Sequence, residues 1–415
     1  MTPTSFPFLA HYLPVRQPWP LLALLLLLLT GQCLCAQGFA YIPSFNDAEV
    51  AVIDLSTNTV ATTIAVENTP IGVAINEATN KIYLTHQTPN TVSVIDAATN
   101  TVEAVIAVGG APTGIAVSET DNKVYVANQN DQTVSIIDAS SNTVEATIAV
   151  GEGPFGVVAS PDESRIYVTN QLGNTVSVIA TATNSVTATI PVGIGPIGVV
   201  FHPTDGKAYV ANFGSDDISV IDVGSDTVES TLLAGDGTYA LVLNSLTNKL
   251  YATNSIGNTV SVIDLATSTL ETSIAMPGGP VGMAIADDAS SLYVVNYYGD
   301  EITVVDLLSN TATNTVDVGI SPIALGDFVV GSPLVRVEDL QDTALQLYPN
   351  PTRGWVQVNG LSAERAIVLD QWGRTVRVFN QAGTRYDLSG LRAGVYFLWM
   401  EGAGGQWRAV RVVKA

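Results

Sequence analysis

Residues 123–164 read KVYVANQNDQTVSIIDASSNTVEATIAVGEGPFGVVASPDES. Four short runs rich in Val, Ile, Thr and Ala stand out: Val124–Asn128, Thr133–Asp138, Thr143–Val150 and Phe155–Ser160. Between them lie Asn-Asp, Ser-Ser-Asn, Gly-Glu-Gly-Pro and Pro-Asp clusters, the residue types that make turns. No run has the length or period of a helix. The unit recurs with Tyr41, Tyr83, Tyr125, Tyr167, Tyr209, Tyr251 and Tyr293 in the same place, a step of 42 each time, so seven units fill 39–332. Seven four-stranded units of this length predict an all-β, seven-bladed β-propeller.

Blades packed on both faces explain the near-continuous apolar strands. The phase of the repeat predicts how the ring closes. The first unit lacks a Pro-x-Gly strand before Phe39–Phe45, and the seventh ends on a spare one, Ser321–Val330. If the Pro-x-Gly strand is innermost, that last strand completes the first blade and no open sheet edge remains.

The seven copies also separate scaffold from novelty. The invariant tyrosine reads as structural, with its hydroxyl seeking a backbone partner. Asp54, Asp96, Asp138, Asp222, Asp264 and Asp306 close the second strand, with Ala180 the exception, and read as turn acceptors. Asn128, Asn170, Asn212, Asn254 and Asn296 follow the tyrosine strand, where the first two units have Ser44 and His86. Glycine two residues after the proline suits a strand crowded near a central axis. Ala240 and Ala324 stand in for glycine in two units, and Thr238-Tyr239-Ala240 replaces Pro-x-Gly altogether in one; the residue in the middle slot varies: Ile71, Thr113, Phe155, Ile197, Tyr239, Val281 and Ile323. Pointed at the channel mouth, these seven would form an apolar ligand collar anchored by Phe155 and Tyr239; packed between blades, they would be scaffold.

Charge divides the chain. Residues 39–332 hold five basic residues against 31 acidic ones, whereas 333–415 hold ten basic and seven acidic. An acidic propeller excludes a nucleic-acid surface, which needs Lys and Arg. His86 and His202 occupy different slots and give no zinc spacing. Asp216-Asp217 and Asp300-Glu301 are acidic loop pairs without a spaced calcium loop. No P-loop, Gly-x-Ser-x-Gly elbow or Cys-x-x-Cys occurs, so no catalytic residue, metal ligand or cofactor site is assigned. Asp327, near the end of the last inner strand, is the one candidate general base for the channel.

The N-terminus reads as a secretory signal over 1–36. Arg16 precedes the apolar run Leu21–Leu29, and small residues follow. Cleavage is expected after Ala36 or after Cys35. A lipoprotein would need a small residue before Cys33 or Cys35, and Gln32 and Leu34 stand there. The mature chain is then expected to have no transmembrane segment and, with Cys33 and Cys35 removed, no disulfide.

Tyr167-Val168-Thr169-Asn170, with its near copies Tyr125-Val126-Ala127-Asn128 and Tyr251-Ala252-Thr253-Asn254, resembles the YVTN family of β-propeller repeats. The resemblance spans about 294 residues. It implies likeness to archaeal surface-layer proteins and to lactonase-like and haem-d1-type propellers, some of them enzymes. The tail carries Leu347-Tyr348-Pro349-Asn350-Pro351, then Val368 to Arg374, then Leu388 to Tyr396, and ends Trp407 to Lys414. It is similar to the type A C-terminal sorting domain of the type IX secretion system of Bacteroidetes-type bacteria. That likeness makes Pro349, Asn350, Pro351, Gly373, Gly394, Tyr396 and Lys414 the expected sorting signal, read by the export machinery and then removed. Its alternating short strands predict a small β-sandwich over 345–415, joined by a linker at 333–344 to the propeller at 37–332.

The expectation is an exported, non-enzymatic surface or secreted propeller that binds a protein, glycan or matrix partner. The blade-variable loops Gln129–Asp131, Gly214–Asp217 and Tyr297–Glu301 would recognise it. The rivals are a lactonase- or lyase-like channel enzyme and a structural cell-envelope protein.

Overall fold

The computed structural model describes residues 38–286 and 289–330 and, in the tail, 346–348, 352, 354–359, 365–370, 375–379, 383–392, 394–401 and 407–414. The expected signal segment 1–36 and linker 333–344 lie outside the described residues, as do Pro349, Asn350, Pro351 and Gly373.

Seven four-stranded antiparallel sheets follow the repeat. Blade three is typical: Pro112–Ser118 lies innermost, then Lys123–Asn128, Thr133–Asp138 and Thr143–Ala149. Blade one takes its inner strand from the far end of the ring. Val329–Val330 pairs with Phe39–Ser44 through Ala40↔Val329 and Phe39↔Val330. The closure expected from the phase of the repeat is therefore present.

The expected strand Ser321–Val330 is not continuous. Only Val329–Val330 is regular, with an isolated bridge between Pro322 and Ser44. In blade two, six residue steps separate Pro70, opposite His86, from Asn76, opposite Lys81. In blade one, eight separate Pro322, opposite Ser44, from Val330, opposite Phe39. The two extra residues are absorbed at Leu325-Gly326-Asp327. There the chain leaves its own blade: Leu325 N donates to Ile71 O at 3.2 Å, and Val73 N donates to Leu325 O at 3.0 Å. Gly326 sits at φ 113°, with Val73 O 2.3 Å from where a Cβ would be, so only glycine fits.

Three repeated devices hold the blades together. The first is the close approach of the inner strands. A Cβ on Gly72, Gly114 or Gly156 would lie 2.2, 2.3 or 2.2 Å from the carbonyl of Thr113, Phe155 or Ile197 in the next blade. The second is a threonine bridge in alternate blades. Thr85 Oγ1 accepts from Gly72 N in its own blade and donates to Thr113 O in the next, and Thr169 does the same between Gly156 and Ile197. The third is the tyrosine, whose buried ring contributes roughly 1.5–3 kcal/mol. In four blades its hydroxyl reaches a left-handed turn residue of the following blade, as Tyr41 to Asn100 at 3.0 Å and Tyr167 to Asp226 at 3.1 Å. The expected partner was a backbone group. The observed one is mainly a side chain, because the left-handed Asn or Asp aims its oxygen back across the blade interface.

The tail forms two antiparallel sheets. One contains Gln346–Tyr348, Trp355–Asn359 and Arg385–Asp387; the other contains Thr375–Phe379, Arg365–Asp370, Gly394–Glu401 and Trp407–Lys414. Val356, Tyr386, Val368, Leu398 and Val412 from both sheets share one core, so the tail is a small β-sandwich.

Candidate functional site

Each propeller blade has two ends, and the strand registers fix what lies at each. Pro112 pairs with Asn128, at the end of the second strand. The Pro-x-Gly segments, the loops that precede them and the turns after the Asn therefore share one face, here termed the collar face. The variable loops Gln129–Asp131, Gly214–Asp217 and Tyr297–Glu301 are such turns and belong to it.

Five of the seven expected collar residues are buried: Ile71, Thr113, Ile197, Val281 and Ile323. The Thr113 hydroxyl lies 3.0 Å from Phe155 O in the next blade. A bulge between Pro and the residue three on, as at Pro70/Val73, shifts the alternation and turns these side chains inward. Phe155 and Tyr239 are half-buried. Their rings meet edge-on at 6.2 Å, and Phe213 meets Tyr239 at 6.1 Å. The collar thus plugs one end of the ring with an aromatic cluster.

Around that plug the face carries large exposed apolar side chains. Leu172, Ile194, Ile256 and Tyr298 are 68%, 60%, 62% and 77% exposed. Each is seated over a glycine: Leu172 over Gly153, Ile194 over Gly214, Ile256 over Gly237, and Tyr298 over Gly279. A side chain at any of the four glycines would collide with its neighbour. Sequence reading missed this pattern, although the spacing signals it: a glycine 19 to 20 residues from each apolar turn residue.

Behind the plug is a cavity of about 600 Å³, the central channel. It runs from Phe155, Ile197 and Tyr239 to Glu77, Glu119 and Glu163 in loops on the opposite face. Glu119 accepts from Glu77 N at 3.0 Å, and Glu163 accepts from Thr120 N at 2.7 Å. Asp327 and Gly326 line the channel wall on the two-residue bulge. Asp327 is exposed to the water of the channel; the ring around it still withdraws bulk solvent, which raises its pKa, and a bond from Val329 N at 3.2 Å opposes the shift.

The other candidate groups are spent on structure. Asp96 accepts from Ala98 N and Thr99 N at 2.9 Å; the Lys81 ammonium first, then these amides, bring its pKa down to about 2. Asp138, Asp222 and Asp306 accept from Ser140, Ser225 and Ser309, whose hydroxyls lower their pKa values. In blade four, where Ala180 replaces the aspartate, Arg165 reaches Asp226 of the next blade at 3.1 Å. Lys81, Lys123, Lys207 and Lys249 pair with Glu103, Glu145, Glu229 and Glu271. His86 is buried, with Nε2 2.8 Å from Ser93 Oγ, and burial lowers its pKa. His202 Nε2 lies 3.1 Å from Asn248 Oδ1. Asp216 and Asp300 hold loops by accepting from Gly237 N and Ser321 N at 2.7 and 2.8 Å. Among the described residues, no group of three or more His, Cys, Asp or Glu could hold a metal.

In the tail, Tyr396 is buried and its hydroxyl donates to Arg392 O at 3.0 Å. Lys414 is buried and bridges to Thr352. Gly394 opens the strand that pairs with Lys414.

Seven four-stranded blades closed by a shared first blade define a seven-bladed β-propeller. The chain belongs to the YNCE-like beta-propeller family, whose model matches residues 115–213 and 192–329. A secretion system C-terminal sorting domain matches 346–414, which implies a type IX secretion partner and export to the cell surface or beyond. No curated protein matches the chain. Among solved structures, it is similar to hydrazine synthase of Kuenenia stuttgartiensis, with 20% identity and a TM-score of 0.57 over 61% of this chain and 88% of that one. A functionally unknown protein from Desulfotomaculum acetoxidans aligns with 15% identity and a TM-score of 0.61 over 70% and 99%. The dihydro-heme d1 dehydrogenase NirN, in complex with DHE, aligns with 14% identity and a TM-score of 0.56 over 72% and 75%. At these identities the likeness is one of fold. Among the described residues, no helix is long and apolar enough to cross a membrane.

Proposed function

We propose that this is an exported, non-enzymatic propeller that binds a protein partner through its collar face. One observation carries the reading: the ring of Leu172, Ile194, Ile256 and Tyr298, each exposed and seated over a glycine, around the Phe155–Tyr239–Phe213 cluster. Large apolar side chains gathered on one face favour a protein interface. The five basic residues of the propeller are all ion-paired, which disfavours anionic partners. The ligand residues of this reading are Phe155 and Tyr239, with Ile71, Thr113, Ile197, Val281 and Ile323 as their buried support.

In the same reading, residues 1–36 are a signal peptide removed at the inner membrane. The sorting tail is then removed as the propeller is released or fixed to surface lipopolysaccharide of a Bacteroidetes-type cell. The rival is a channel enzyme. It is favoured by Asp327 and by the fold shared with hydrazine synthase and the heme d1 dehydrogenase. Retention of the purified protein on intact producing cells tests the proposal. An Ile256→Glu/Tyr298→Glu variant is expected to lose at least tenfold in retention while an opposite-face Leu246→Glu/Leu308→Glu variant keeps it. Equal retention of the two variants contradicts the proposal.

A further inference from the structure

The propeller breaks its own repeat once at the channel wall. Six inner strands carry a single register shift, close to their first residue, and otherwise stay paired within their own blade. The seventh leaves its blade at Leu325, bonds the inner strand of blade two, and projects Gly326 and Asp327 into the channel. This departure has a fixed cost, a left-handed Gly326 pressed on Val73 O. It places a carboxylate beside the apolar stretch of wall made by Ile115, Val157, Val199, Leu241 and Met283, apart from Glu77, Glu119 and Glu163 at the mouth.

The chemistry of the channel selects a sign and a size. Its titratable lining groups are Asp327, Glu77, Glu119, Glu163 and the Tyr239 phenol, so no cation on the wall neutralises Asp327. The net charge of the chain is −22, so the surrounding field concentrates cations at the mouth. A cavity of about 600 Å³ is of the size that takes a small organic molecule. Among the described residues the carboxylates are not grouped to hold a bare metal ion, whereas an ammonium on an apolar body meets both the Asp327 charge and the apolar stretches of the wall.

We propose that the channel is a binding site for a small organic cation, an amine or quaternary ammonium with an apolar body, with the Asp327 carboxylate as its counter-ion. The cation enters past Glu77, Glu119 and Glu163, and its apolar part lies along the wall towards Phe155 and Tyr239. The channel raises the Asp327 pKa, and a bound cation acts against that shift by favouring the ionised carboxylate.

Calorimetric titration of the full secreted chain with benzyltrimethylammonium, benzyl alcohol and benzoate tests this. The site predicts one ammonium per chain, bound at least tenfold more tightly than the alcohol, with benzoate not bound. In Asp327→Asn the preference for ammonium over alcohol collapses to within about threefold, while the alcohol still binds. Asp121→Asn, which removes the same charge from an exposed loop outside the channel, keeps the full preference. No ammonium binding, equal binding of ammonium and alcohol, or an Asp327→Asn chain with its preference intact would overturn the proposal. A preference lost equally in Asp121→Asn would also overturn it, since general electrostatics would then suffice. The thermal melt of Asp327→Asn, read in parallel, establishes that the variant is folded.

Discussion

The Tyr293 hydroxyl of blade seven donates to Asn58 Oδ1 of blade one at 2.9 Å, across the seam where the ring closes. The bond links residues 235 apart in sequence. It repeats, at the seam, the link that joins Tyr41 to Asn100 within the run of blades. The ring is therefore closed twice, by Val329–Val330 completing the sheet at the centre and by this bond farther out.

Tyr293→Phe is expected to lower stability by about 1 kcal/mol, the typical net contribution of one such bond. Tyr125 is the internal control. Its hydroxyl is buried without a hydrogen-bond partner, so Tyr125→Phe is expected to be neutral or slightly stabilising. Denaturant midpoints of the two variants, measured side by side, check the contrast.

The inner glycines make a second contrast. A Cβ on Gly156 would stand 2.2 Å from Ile197 O, a backbone atom of the next blade that cannot swing aside. Gly156→Ala is expected to cost about 3 kcal/mol or more. Gly206 has φ 73° but nothing within 4 Å, so Gly206→Ala should cost only the left-handed penalty, about 1 kcal/mol. Thermal melts of both variants decide whether the approach of the inner strands is as tight as described.

Acid affects two classes of carboxylate with opposite sign. The pKa of Asp96 is about 2 when folded, from its bond to Lys81 and the turn amides, against about 3.9 unfolded. Its stabilisation is complete above the unfolded value and is lost as pH falls towards 2. The melting temperature of Asp96→Asn should lie below that of the parent at pH 6 and converge with it as the pH falls towards 2. Asp138, Asp222 and Asp306 shift the same way.

Asp327 runs the other way. Its folded pKa is raised by desolvation, so ionising it in the ring costs stability as pH rises above the unfolded value. Asp327→Asn is expected to melt higher than the parent at pH 7 and to lose that gain below about pH 4. A lower melting temperature at pH 7 would mean that the carboxylate is stabilised by its surroundings.

The 42-residue step was legible because every copy keeps its tyrosine and its turn residues. The phase of the first and last units was enough to foresee that blade one is shared. The break at Leu325-Gly326-Asp327 was not legible. Its two extra residues fall beyond the last tyrosine, where no eighth copy exposes the change of register. The seven variable residues of the middle slot pointed to the right face but not to the burial of five of them, because a bulge at the start of six inner strands shifts a side-chain alternation that sequence alone assumes regular. The pairing of Leu172, Ile194, Ile256 and Tyr298 with glycines joins loops that are neighbours only once the strands pair.

The collar face as the binding surface is the claim on which the functional account rests. Oxidative footprinting of the side chains, on the protein free and then held on intact producing cells, tests it most directly. The account predicts that Leu172, Ile256 and Tyr298 become protected on binding while Leu246 and Leu308, on the opposite face, oxidise as before. Protection of Leu246 and Leu308 with Leu172, Ile256 and Tyr298 unchanged would contradict it.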